Sequence, residues 1–134
     1  MKALIVGATG LIGKQVLELL NNDPEIEKVV SLNRNKEAVE GKINHKKIDF
    51  DRLKEVELKE EFDLAFCCLG TTIKIAKTKE NFKKVDYQYV VDFAELAKEN
   101  GVKSYSVISA MGANAKSGIF YNKVKGEMEE ALQK

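Results

Sequence analysis

What most constrains this chain is where its first glycines fall. Gly7-Ala8-Thr9-Gly10-Leu11-Ile12-Gly13 follows the short apolar run Lys2-Ala3-Leu4-Ile5-Val6, which reads as a buried strand. The same glycines open a stretch in which Ile12, Val16, Leu19 and Leu20 recur at helical spacing until Asp23-Pro24 ends it. At a strand-to-helix junction, one glycine allows a tight turn and another lets backbone N–H groups approach a pyrophosphate. A third lets the helix pack on the strand. The helix N-terminus adds free donors and a partial positive charge. The spacing is GxxGxxG rather than GxGxxG.

The rest of the chain keeps the same rhythm. Strands are predicted at Lys28–Leu32, more weakly at Lys46–Phe50, then at Asp63–Leu69 and Ser104–Ser109. The segment 63–69 is apolar on both faces, as a central strand is. A helix is predicted with Phe82, Val85, Tyr89, Phe93 and Leu96 on one face and Asn100-Gly101 at its C-cap, and a last one from Phe120 to Gln133. Residues 51–61 read as a short helical or turn segment. Such alternation predicts an α/β fold, a doubly wound parallel sheet of about five strands with helices on both faces. With 134 residues and no repeat or linker, residues 1–134 are expected to form a single domain.

Composition narrows the function classes. Lys+Arg 22 against Asp+Glu 21 leaves a net charge of +1, without the basic excess of a nucleic-acid or membrane-surface binder. No run approaches the length of a membrane span. Cys67 and Cys68 are adjacent, cannot staple the fold to each other, and read as core residues on opposite faces of a strand. Reduced thiols of this kind point to the cytoplasm. The single His45 lies far in sequence from both cysteines, so no metal site is expected, and it reads as a surface or strand-edge residue. Lys74, Lys77 and Lys79 read as solvated.

Two further groups of residues carry chemistry. At the end of the second strand stand Leu32-Asn33-Arg34-Asn35, with no carboxylate before Glu37. A carboxylate there would bond the ribose hydroxyls of NAD, whereas Arg34 suits a 2′-phosphate, so NADP(H) is favoured over NAD(H). Asp49 and Phe50, after the third strand, would flank the adenine. Tyr121 and Lys125 are four apart on a predicted helix and share a face. An ammonium beside a phenol favours the tyrosinate and makes it a better acid–base group. So lysine-rich a chain produces such pairs by chance. Ser109 adds context, ending the fifth strand at the edge that carries the glycine loop, where it can bond a substrate carbonyl.

With GATGLIG at 7–13, LNRN at 32–35, CCLGTT at 67–72, FKKVDYQYV at 82–90 and the run from Ser109 to Leu132, the chain resembles the short-chain dehydrogenase/reductases. The nearest branch is the atypical NAD(P)-binding group of NmrA-like and Tat-interacting tumour-suppressor-like oxidoreductases. The resemblance implies Ser109, Tyr121 and Lys125 as catalytic residues, with Ser109 polarising a carbonyl and Tyr121 delivering a proton. Lys125 would hold the nicotinamide ribose. Gly7, Thr9, Gly10, Leu11, Ile12 and Gly13 would cradle the pyrophosphate, Asn33 and Arg34 the adenosine ribose, and Cys68, Leu69, Gly70 and Thr71 the nicotinamide side. The substrate would be a small carbonyl or alcohol.

The family's Asn in the fourth helix is matched nearby by Asp86, and relatives continue past the Tyr-x-x-x-Lys helix. The resemblance implies a Rossmann-like strand order, here 3-2-1-4-5, which would leave the fifth strand as an edge that a homo-oligomer covers. An alternative of another class is a non-catalytic NAD(P)(H)-sensing module that reports to a protein partner.

Overall fold

The computed structural model describes residues 1–69, 77–107, 115, 116, 118 and 120–133. Strand β1 (Lys2–Val6) forms the middle of the sheet, and Ala3, Leu4, Ile5 and Val6 are fully buried, as a parallel strand covered on both faces requires. It pairs in parallel with β2 (Lys28–Asn33) on one side and β5 (Leu64–Cys67) on the other. The full order is β3-β4-β2-β1-β5-β6, with β3 at Ala38–Glu40, β4 at Ile43–Lys47 and β6 at Ser104–Val107. Strand order reverses between β1 and β5, so the crevice of this doubly wound α/β fold opens above Val6 and Cys67, which are register partners.

The sheet has six strands rather than five. The extra one, β3, pairs antiparallel with β4 through a turn at Gly41, whose φ is +61°. Strand β4 lies earlier than the predicted 46–50 because Ile43 and His45 point inward while the apolar residues Ile48 and Phe50 fall beyond its end. Its hydrophobic signal is too thin to fix a register. His45 is accordingly buried, and its ring nitrogen lies 3.3 Å from the Glu40 carboxylate across the hairpin, not at the surface. Asp49 closes this unit by accepting the backbone N–H of Asp51 at 3.0 Å, starting a 3₁₀ turn at Phe50–Glu55.

Two layers of helix cover the sheet. Helix α1 (Leu11–Asn22) packs Val16, Leu17 and Leu20 on the face of Ala3, Ile5 and Val29. The opposite face is larger: Leu4, Val6, Val30, Leu32, Ala65 and Cys67 meet the 3₁₀ turn, α3 (Val90–Glu99) and α4 (Phe120–Leu132). The helix expected from Phe82 onward is composite. It starts as α2 (Lys79–Lys83), capped by the Thr78 hydroxyl on the Asn81 N–H at 3.0 Å, and passes through a π-helical stretch at Lys84–Tyr89 into α3. The wider π turn rotates the buried stripe to Phe82, Asp86, Val90, Phe93 and Leu96, leaving Val85 and Tyr89 half-buried. Gly101, at φ +84°, ends it where Asn100-Gly101 predicts. Strand β6 is the outermost strand on the β5 side among the described residues, with Ser104 and Ser106 exposed and Tyr105 and Val107 half-buried.

Candidate functional site

The glycine loop divides into two glycines that the fold needs and one that it does not. Gly7 has φ +77°, and a side chain there would run into the backbone of Cys68 and Leu69 at 2.5–2.7 Å. A Cβ on Gly13 would sit 1.9 Å from the Gly7 carbonyl oxygen, so Gly13 is what lets α1 rest on the turn. Gly10 differs: its φ is −77°, and a Cβ would meet only the Gly7 oxygen at 3.7 Å. Among the described residues nothing asks for glycine at that position. Gly10 is also the N-cap of α1 and provides no side-chain cap, so the first-turn N–H groups of the helix are left for an outside acceptor. Thr9, Leu11 and Ile12 are exposed around this opening.

At the end of β2 the Asn33 side chain builds a turn. Its Oδ1 accepts the backbone N–H groups of Asn35 (2.9 Å) and Lys36, and its Nδ2 donates to the Lys36 carbonyl at 3.0 Å. Asn33 thereby sets the loop that presents Arg34, which is exposed. Glu37 is withdrawn from the same loop, because its carboxylate accepts the Lys47 N–H at 2.7 Å. Lys36 pairs with Glu40. Lys46, Lys47, Asp49 and Arg52 line a shallow groove at the end of β4. Phe50 departs from expectation: it is buried in the core, its ring centroid 5.5 Å from that of Tyr89, and does not face the groove as an adenine neighbour would. Tyr89 donates to Asp51 at 2.8 Å; Lys84, 2.7 Å away, holds that carboxyl below its ordinary range.

The Tyr121–Lys125 corner is built from charge and aromatic packing. Helix α4 presents Tyr121 and Lys125 one turn apart, and the α2–π segment presents Phe82 and Asp86 one turn apart. The Phe82 ring lies 5.3 Å from the Tyr121 ring at 45°. Asp86, 0% exposed, makes an ion pair with Lys125, 2% exposed, and the Lys125 Nζ lies 5.7 Å from the centre of the Tyr121 ring. The ammonium expected at a nicotinamide ribose is thus held inside the protein by a carboxylate. Sequence reasoning missed this pairing. Its one signal was an Asp in the apolar stripe of FKKVDYQYV, four residues after Phe82. Lys77 and Lys79 are exposed, as expected of solvated lysines, and the Lys79 Nζ lies 5.2 Å from the Phe120 ring centre.

Between the two regions runs the end of β5. Burial pushes the Cys67 thiol up to about 11, against smaller downward effects that include the Tyr105 hydroxyl and the Lys125 ammonium. Burial also raises the half-buried Cys68 thiol. Both therefore stay protonated, as core cysteines do, rather than becoming reactive thiolates. Burial likewise raises the Tyr105 phenol, which donates to the Val90 carbonyl at 3.2 Å. Leu69 packs against the larger core. Ser109, Gly70, Thr71 and Lys74 lie outside the described residues.

Comparison with known proteins agrees with this geometry. Residues 2–108 match the family described as semialdehyde dehydrogenase, NAD binding domain. A mitochondrial protein FMP52-1 of Scheffersomyces stipitis is 37% identical over 98% of the chain and 60% of its own length. Protein HTATIP2 of Rattus norvegicus is 36% identical over 96% of the chain and 55% of its own length. The chain therefore spans less than two thirds of the length of these relatives. Among solved structures, a UDP-glucose 4-epimerase from Thermotoga maritima superposes with a TM-score of 0.78 at 15% identity, over 99% of this chain and 50% of that one. A short-chain dehydrogenase family protein from Francisella tularensis gives 0.72 at 17%, over 96% and 60%. The fold is that of an atypical, NAD(P)-binding short-chain dehydrogenase/reductase. The cytoplasmic expectation is overturned by relatives named as mitochondrial. Reduced thiols argue only against an oxidising compartment and do not tell one reducing compartment from another.

Proposed function

The chain belongs to the family of semialdehyde dehydrogenase NAD-binding domains, and from that premise we propose that it is an NADP(H)-dependent oxidoreductase acting on a small carbonyl or alcohol. The observation that carries this reading is Gly10, a glycine the fold does not require, at the uncapped start of α1. A bare backbone at that point suits a pyrophosphate, which would rest on the N–H groups of Leu11 and Ile12. Arg34, on the turn held by Asn33, takes the 2′-phosphate through its planar fork of donors. Cys68 and Leu69 border the nicotinamide side.

When bound, the nicotinamide supplies or accepts the hydride. Ser109 donates a hydrogen bond to the substrate carbonyl, and Tyr121 gives the proton that completes the alcohol. Lys125, held by Asp86, supports Tyr121 with its positive charge.

Fluorescence titration of the chain with NADPH and NADH, repeated on Arg34→Glu, tests the cofactor assignment. NADPH is expected to bind more tightly, and the substitution to weaken it about tenfold, roughly 1.4 kcal/mol. Binding of neither nucleotide would refute the assignment. Tyr121→Phe then tests the chemistry, because carbonyl reduction that persists unchanged excludes Tyr121 as proton donor. Nucleotide binding without turnover of any carbonyl would move the reading to a sensing module.

A further inference from the structure

We propose that Glu37 is a positioning residue for cofactor choice: tethered to β4, it leaves the Arg34 guanidinium available to a phosphate monoester. The proposal rests on the reading that Arg34 takes the 2′-phosphate of NADP(H). Strand β3 runs antiparallel to β4, with Glu40 opposite Ile43 and Ala38 opposite His45. Continued in that register, the next hydrogen-bonded rung would join Lys36 to Lys47. The rung is left open, and two side chains of the same loop fill its halves. Asn33 Nδ2 donates to the Lys36 carbonyl at 3.0 Å, and the Lys47 N–H donates to the Glu37 carboxylate at 2.7 Å.

A closed rung would lay the residues before Ala38 along β4. The open rung leaves them as a turn at the carboxyl end of β2, with Arg34 exposed. Charge makes the tether matter. Residues 33–40 hold two carboxylates, and the hairpin engages both: Glu37 on the Lys47 N–H, Glu40 on Lys36 and His45. Among the described residues Arg34 makes no ion pair. A released Glu37 would carry its negative charge three positions from the guanidinium, pair with it, and blunt its attraction for a dianionic phosphate. Glu37 touches no ligand in this scheme. It acts through Arg34.

Nucleotide affinities separate a tether from a mere surface charge. Kd values for NADPH and NADH are measured by fluorescence titration on the wild type, Glu37→Gln and Glu37→Asp, each also in the Arg34→Ala background. Gln removes the charge but can still accept the Lys47 N–H. Asp keeps the charge and falls short of that N–H by one methylene, about 1.5 Å. Glu37→Asp is expected to weaken NADPH about tenfold with NADH within about twofold, and Glu37→Gln to leave both within about twofold. In the Arg34→Ala background Glu37→Asp should move neither nucleotide. NADPH unmoved by Asp, or weakened as much by Gln, overturns the proposal, and so does an Asp effect that survives without Arg34. Hydrogen exchange of the Lys47 amide, followed by NMR, reads the tether without nucleotide. It should quicken about tenfold in Glu37→Asp and stay slow in Glu37→Gln. Equal exchange in all three chains overturns the proposal whatever the affinities. A wild-type chain that binds neither nucleotide refutes the cofactor reading and this proposal with it. Preference for NADPH with an unprotected Lys47 amide refutes this proposal alone.

Discussion

The glycine loop and the Tyr121–Lys125 corner serve one proposed reaction and are built by opposite means. At the loop, chemistry comes from what is missing: side chains absent at Gly7 and Gly13 let backbone meet backbone, and the one absent at Gly10 leaves an opening outward. At the corner it comes from side chains that are present and buried, a carboxylate and an ammonium in an interior that would tolerate neither alone. The difference is one of kind. The glycine requirements at positions 7 and 13 are steric and come from backbone, that of Cys68 and Leu69 in one case and of Gly7 and Ala8 in the other. The requirement at positions 86 and 125 is electrostatic, a pair of buried opposite charges brought by two separate helical elements.

Substitutions can break or sharpen this contrast. The largest effect is expected from Gly13→Ala, which would push a methyl into the Gly7 carbonyl. A loss of about 3 kcal/mol or more, or no soluble chain at all, should appear in urea unfolding, and near-wild-type stability would show the loop to be more pliant than it looks. Next comes Lys125→Met, which strands the buried Asp86 carboxylate and should cost about 3–5 kcal/mol. Adding Asp86→Leu should restore most of that stability without restoring turnover, a double-mutant cycle that separates packing from function.

Gly10→Ala inverts the first case. Stability should stay within about 1 kcal/mol, while NADPH binding weakens tenfold or more in the fluorescence titration. Unimpaired binding would remove the main support for a pyrophosphate at that spot. The smallest effect concerns Cys67, whose thiol is raised from 9.0 to about 11 by burial. A raised acid favours the neutral form in the folded state, so its contribution to stability is intact below the unfolded value and fades as pH climbs through 9 to 11. Urea midpoints measured at pH 8 and pH 10.5 should therefore fall less steeply in Cys67→Val than in the wild type, and identical slopes would contradict the assignment.

Much of the fold was legible because its signals are local. Lys2–Val6 is an uninterrupted apolar run, Asn100-Gly101 is a helix stop, and the glycine loop joins a strand to a helix; each holds in the structure. The hairpin of β3 and β4 was not legible, since Ala38–Glu40 and Ile43–Lys47 carry few apolar residues and are held by a turn and by β2. Phe50 misled for a related reason. Its place after a strand suggested a ligand edge, whereas packing against Tyr89 turned its ring inward.

The sequence by itself determined the class of fold, the phosphate-type turn and the residue types gathered at the strand ends, because each depends on backbone freedom or apolar periodicity over a few neighbours. Only the tertiary structure decided that no described neighbour requires a glycine at position 10, that Asn33 serves the turn while Arg34 faces outward, and that Asp86 rather than solvent holds Lys125. Those outcomes turn on which atoms from distant segments come within reach once water has been excluded. The spacing of residues along a chain does not carry that information.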